Sequence, residues 1–175
     1  MTTVSRYLDK VNEALTQLED KVLDAIAMYL YQHANHVWIM GNGGSHANAS
    51  HLALHLTDNG IAAHDLMAQG PLYSARANDT SYENAASVIL EQVAREGDTL
   101  LVISGSGNSR NVISALTKAE ELGMWRLGLL GFGGGESASL CNVAAIVGSK
   151  EYGPIEDAHG VCVHLLAAKI ESLRS

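Results

Sequence analysis

The sequence predicts an α/β fold, a parallel sheet covered by helices on both faces. Three observations predict it. Short apolar runs without alternation recur along the chain, as fully buried strands do. Stretches with apolar residues at three- and four-residue steps lie between them. Two of the runs, 37–40 and 100–103, end directly in glycine-rich loops that lead into helical patterns. Alternation of this kind gives a doubly wound sheet. It places both loops at the carboxyl edge, where open parallel sheets bind ligands.

Each element follows in order. Residues 4–31 read as one long helix, with Val4, Tyr7, Leu8, Val11, Ala14, Leu15, Leu18, Val22 and Ile26 on one stripe. This extra helix precedes the alternation. It either covers the sheet or packs against a second subunit. Residues 37–40 form the first strand, the loop Gly41-Asn42-Gly43-Gly44-Ser45 follows, and a helix covers 45–56. Residues 61–66 form a short strand. Gly70-Pro71 breaks the chain. Thr80 or Ser81 caps a helix that runs to about Arg95. Gly97-Asp98 turns into the strand at Leu100. A helix leaves Ser109 and ends near Gly123, a strand covers 125–130, and Gly131 to Gly135 form a flexible loop. The last strand is 143–147. Tyr152-Gly153-Pro154 opens a final helix over 155–173, with Pro154 placed for its first turn.

Composition narrows the class. With 175 residues, 47% hydrophobic and 17% charged, the chain fits one domain over 1–175. Residues 1–32 are its leading helix and 36–175 its α/β core. The net charge of −8, with no dense Lys/Arg cluster, argues against a nucleic-acid surface. Cys141 and Cys162 lie in apolar surroundings and make no disulfide framework, which points to a reducing cytoplasm. No signal-like or membrane-spanning stretch is expected.

Two sets of residues carry chemistry. Ser104, Gly105, Ser106, Gly107, Asn108 and Ser109 offer three hydroxyls and a close-wrapping backbone at a helix N-terminus. That combination suits a phosphate. The plainer reading is a Gly/Ser turn with Ser109 as N-cap. His51 and His55 are four apart and share a helix face. Glu156 and His164 are eight apart, about 80° round the final helix, and also point one way. His159 is a looser candidate. Three imidazoles and a carboxylate suit zinc among other metals. Otherwise these are scattered polar residues on partly exposed faces.

In order along the chain stand GNGGS with His51, Asn78-Asp79 in ANDTSYE, ISGSGNSRNV, and YGPIEDAHGVCVH. With these motifs the sequence resembles the sugar isomerase (SIS) domain family, in particular its phosphoheptose isomerase branch, over nearly the whole chain. The resemblance implies a flavodoxin-like sheet and a homotetramer with active sites between subunits. It assigns the phosphate to Ser104, Ser106 and Ser109 with the Gly105 backbone. It places Asn42, Gly43, Ser45 and Asp79 around the sugar. It puts Glu156, His164 and His55 at catalytic positions, and zinc on His51, His55, Glu156 and His164. Two positions depart from the branch. Its usual glutamate is replaced by His55, and its usual glutamine by Glu156, so a carboxylate has moved between helices.

The implied reaction is aldose–ketose isomerisation of a sugar phosphate, sedoheptulose 7-phosphate or a related one, through an enediol. Glu156 or His164 would be the base. The competing reading is a non-catalytic SIS-domain module that senses phosphosugars or binds a protein, of the replication-initiator-binding type.

Overall fold

Five strands join one parallel sheet in the order β2-β1-β3-β4-β5: β1 (His36–Gly41), β2 (Ala62–Asp65), β3 (Thr99–Ser104), β4 (Trp125–Leu130) and β5 (Val143–Ile146). The structure is a computed structural model, and residues 2–174 are described. Residues 1 and 175, the bounds of the expected domain, lie outside the described residues. The order is the flavodoxin-like one. The chain steps outward from β1 to β2, returns past β1 to β3, and then runs to the other edge. Right-handed crossovers therefore put α3 (Gly44–Asp58) on one face, and on the other α4 (Gly70–Asp79), α5 (Tyr82–Val93), α6 (Arg110–Glu121) and α7 (Gly135–Leu140). The long α8 (Tyr152–Arg174) returns to the α3 face.

β3 shows why the runs do not alternate. All six of its residues are buried. Leu101 and Ile103 join the core under α3 and α8, while Leu100 and Val102 join the core under α5 and α6. Both sheet faces are covered, so both sets must be apolar.

The N-terminal stretch is two helices, α1 (Thr3–Thr16) and α2 (Asp20–His33), where the sequence predicted one. Leu15, Leu18 and Val22 keep their apolar spacing across the break, so periodicity does not reveal it. Tertiary contacts impose it. The Gly148 N–H donates to the Ala14 carbonyl at 2.8 Å and ends α1 on the irregular segment that follows β5. α1 lies along the start of α8 through Tyr7 Oη to Asp157 (2.7 Å) and Lys10 to Glu151 (2.7 Å). α2 packs beside its later turns, where Lys169 pairs with Asp20 and Asp24 at 2.6 Å. α1 buries only Ala14 and leaves Val4, Tyr7 and Leu8 exposed.

Two more readings are corrected. Gly70-Pro71 opens α4 rather than breaking the chain, because Pro is tolerated in a first turn. The glycine run after β4 is not a loose loop: it makes a single 3₁₀ turn, Phe132–Gly134, and leads into α7. Ser81, by contrast, caps α5 as expected, accepting the Asn84 N–H at 3.1 Å.

Candidate active site

The loops after β1 and β3 meet at the point where the strand order reverses. Asn42 locks them together. Its amide exchanges reciprocal hydrogen bonds with the Asn111 amide, at 2.9 and 2.8 Å, and its Oδ1 also accepts Tyr82 Oη–H at 2.8 Å. Asn111 is buried on the first turn of α6, and Tyr82 starts α5. Neither was singled out in the sequence, because the contacts span 69 and 40 residues. Asn42 thus positions the site with most of its hydrogen-bonding capacity. Gly43 stands at the N-cap of α3 with φ +58°, and Ser45 is buried beside it.

The second loop has the predicted hydroxyls. Ser104 is buried and its Oγ accepts the Gly107 N–H at 3.1 Å. Ser106 Oγ accepts the Asn108 N–H at 3.1 Å. These bonds use lone pairs and leave both hydroxyl protons to donate. Ser109 occupies the N-cap position of α6, yet its side chain makes no capping bond. Val112 and Ile113 donate to the Ser109 carbonyl at 3.0 Å, which leaves the Arg110 and Asn111 N–H groups for another acceptor at the positive end of the helix dipole. The loop is braced from outside: Gly107 O accepts the Ser137 N–H and Asn108 Oδ1 accepts the Glu136 N–H, both at 2.9 Å. A side chain on Gly105 would start 3.0 Å from the Tyr152 ring. Asp79 lies apart from these bonds, exposed at the end of α4, with Arg76 at 3.7 Å.

The imidazoles lie further down the α3–α8 pair. His51 Nε2 and His55 Nε2 face each other at 3.0 Å, and the His164 ring stands edge-on to both, its centroid 4.9 and 5.1 Å away. One ring nitrogen from each of the three lies within 4.8 Å of the others, the only such metal-competent group among the described residues. Burial, then the neighbouring His55 and His164, lowers the His51 pKa. Its neutral form, which binds metal, is thus favoured. Asn48 Nδ2 donates to the Glu156 carbonyl at 2.8 Å and sets the register of the two helices. Asp65, at the end of β2, holds α3 from the other side through His46 Nε2 at 3.0 Å and through Ser50.

Glu156 is not in this group. Its carboxylate rests against Gly44 at the start of α3, where any side chain would overlap it. Glu156 and His164 share a helix face, but eight residues also separate them by roughly 12 Å along the axis. Glu156 belongs instead to the mouth formed by the first loop, at the positive end of α3. His159 is also excluded, being wholly buried in α8 with neither ring nitrogen in good hydrogen-bonding geometry.

The SIS domain profile matches residues 1–131. The chain belongs to the SIS domain family. Among its relatives is the phosphoheptose isomerase of Aneurinibacillus thermoaerophilus, 36% identical over 166 residues, 91% of this chain and 83% of that one. The solved phosphoheptose isomerase of Neisseria gonorrhoeae superposes with a TM-score of 0.87 at 29% identity, covering 95% of this chain and 94% of that one. That of Francisella tularensis gives 0.89 at 25% identity, covering 98% and 100%. In this SIS domain the strand order accounts for the loops at the sheet's switch point. The three-imidazole group and the displaced Glu156 are read from this chain's own geometry.

Proposed function

We propose that this SIS-domain protein interconverts the aldose and ketose forms of a sugar phosphate, of the phosphoheptose isomerase type. The observation that carries the reading is the uncapped N-terminus of α6, with Ser104, Ser106 and Ser109 around it, facing the Asn42–Tyr82 loop across the switch point. A phosphate held by three hydroxyls, the Gly105 backbone and the helix end gives the substrate a fixed handle. Positioning then lowers the barrier by holding the reacting carbons against the base. Asn42, Gly43 and Ser45 line the sugar's path, with Asp79 on the rim. Glu156, at Gly44, takes the proton from the carbon next to the carbonyl and returns it to the neighbouring carbon of the enediol. The substrate's hydroxyl proton passes to the former carbonyl oxygen, so the reaction is balanced without an oxidant.

The imidazoles of His51, His55 and His164 fit a divalent metal such as zinc, since three histidines with an open fourth position are a zinc donor set. Bound there, it would supply Lewis acidity toward a substrate oxygen. We place the enzyme in the cytoplasm, in keeping with its two unpaired cysteines. Incubation with sedoheptulose 7-phosphate in deuterated water should give turnover and deuterium on the carbon beside the carbonyl. Ser106→Ala with Ser109→Ala should raise KM about tenfold or more, about 1.4 kcal/mol of lost charge-assisted hydrogen bonding. Neither turnover nor exchange with C5–C7 sugar phosphates would overturn the reading.

The same reading makes the protein a homo-oligomer, a tetramer by resemblance. Val4, Tyr7 and Leu8 of α1 are exposed, and so are His164, Val161 and Leu165 of α8 and Leu54 of α3. Covering those apolar faces with further copies would bury them and enclose the imidazoles. Light scattering at micromolar concentration should give about four times the chain mass, and a monomer would refute it.

A further inference from the structure

We propose that Phe132 and Tyr152 form an aromatic wall of the sugar site that packs on the carbon face of the substrate and sets which sugar phosphates bind. The inference rests on the phosphosugar reading of the Ser104–Ser109 loop. Phe132 is the only non-glycine among the described residues with positive φ, at +48°. That conformation is costly for a bulky side chain, and such outliers concentrate at functional sites. Here the neighbours Gly131, Gly133, Gly134 and Gly135 show that the turn is otherwise built of glycine. A glycine at 132 would take the same backbone without strain.

Nothing in the fold repays the strain. Phe132 is 37% exposed, and its ring partner is Tyr152, 59% exposed, with centroids 5.0 Å apart. A core role is therefore ruled out. The pair's position suggests its use. The Tyr152 ring lies against Gly105, the backbone assigned to the phosphate. Gly131, just before Phe132, donates its N–H to the Ser104 carbonyl at 3.1 Å, and α7, into which the turn runs, is bonded to Gly107 and Asn108. A phosphate seated on that loop must send its carbon chain past these two rings or away from them. On the far side, Phe132 borders a cavity of about 480 Å³ whose polar lining is Lys10, Glu13, Gln17, Ser149, Lys150 and Glu151, with Lys10 and Glu151 paired, and these groups suit sugar hydroxyls. A sugar chain has an apolar C–H face and a hydroxyl face. Rings on one side and polar groups on the other match both. The Ser104–Ser109 loop recognises only phosphate. The wall would therefore add affinity for the sugar portion and discriminate by its length.

Phe132→Gly tests this without harm to the fold, because glycine relieves the positive φ. Binding of inorganic phosphate and of sedoheptulose 7-phosphate is measured by calorimetry, with melting temperature and mass recorded in parallel. Phe132→Gly and Tyr152→Ala should each weaken the sugar phosphate about fivefold to tenfold, about 1–1.4 kcal/mol. Inorganic phosphate should bind as before, and Phe132→Tyr should recover most of the loss. Phe132→Gly should melt no lower than the parent. Unchanged sugar phosphate binding in both variants would overturn the wall. So would equal weakening of both ligands, or a fall in mass that marks the rings as a subunit contact. If the parent binds neither ligand, the phosphosugar reading itself has failed.

Discussion

Replacement of Glu156 by Gln is expected to lower kcat about a thousandfold and to leave metal content unchanged. The rate loss follows from the role of a general base, which contributes about 10²–10⁴-fold, here about 4 kcal/mol of barrier. Gln is nearly isosteric, so it keeps the packing against Gly44 and the Asn48 bond to the residue's own carbonyl. It cannot take a proton. Metal should be indifferent to the change because Glu156 stands roughly 12 Å of helix rise from His164, outside the three-imidazole group. His164→Ala, or His51→Ala, should strip the metal from protein purified without chelator, where elemental analysis of the parent is expected to find about one zinc per chain. The two variants thus separate the roles. Loss of metal in Glu156→Gln would return the carboxylate to the ligand set. A kcat within about tenfold of the parent would remove it as the base and leave the carbon proton to an imidazole.

The same residue shows where sequence reading stops. The angle between residues 156 and 164 is legible from helical periodicity, whereas their separation along the axis decides whether they share one ion. The five strands were legible because burial on both faces demands unbroken apolar runs, as in β3. The switch-point loops were legible because each run ends in glycine and serine. Asn111 and Tyr82 were not, since each is an ordinary polar residue until the fold brings it to Asn42. The break between α1 and α2 has no glycine or proline to mark it and depends on Gly148, more than a hundred residues on. Ser109 looked like a cap and occupies the cap position, but its unused hydroxyl emerges only in three dimensions.

His159 should make the fold acid-sensitive. It is wholly buried in α8 among Ile155, Ala158, Cys162 and Val163, and neither ring nitrogen has a partner in good hydrogen-bonding geometry. Burial pushes its pKa down from 6.5 to about 4, with a weak hydrogen bond to the Leu130 backbone as the smaller opposing effect. The unfolded chain therefore takes up this proton first as pH falls. Stability from the neutral ring is complete above pH 6.5, declines between about 6.5 and 4, and is fully lost below that. The shift corresponds to about 3 kcal/mol. His159→Leu removes the titration and the two poorly bonded nitrogens together, with little change in volume. In urea unfolding at one fixed chain concentration, the parent should lose about 3 kcal/mol more than His159→Leu between pH 7.5 and 4. Other ionisable groups act on both proteins alike, so the difference isolates this ring. Parallel pH curves for the two proteins would mean that His159 meets its proton in the fold as readily as in the unfolded chain. Such curves would refute the burial of a neutral ring at this position.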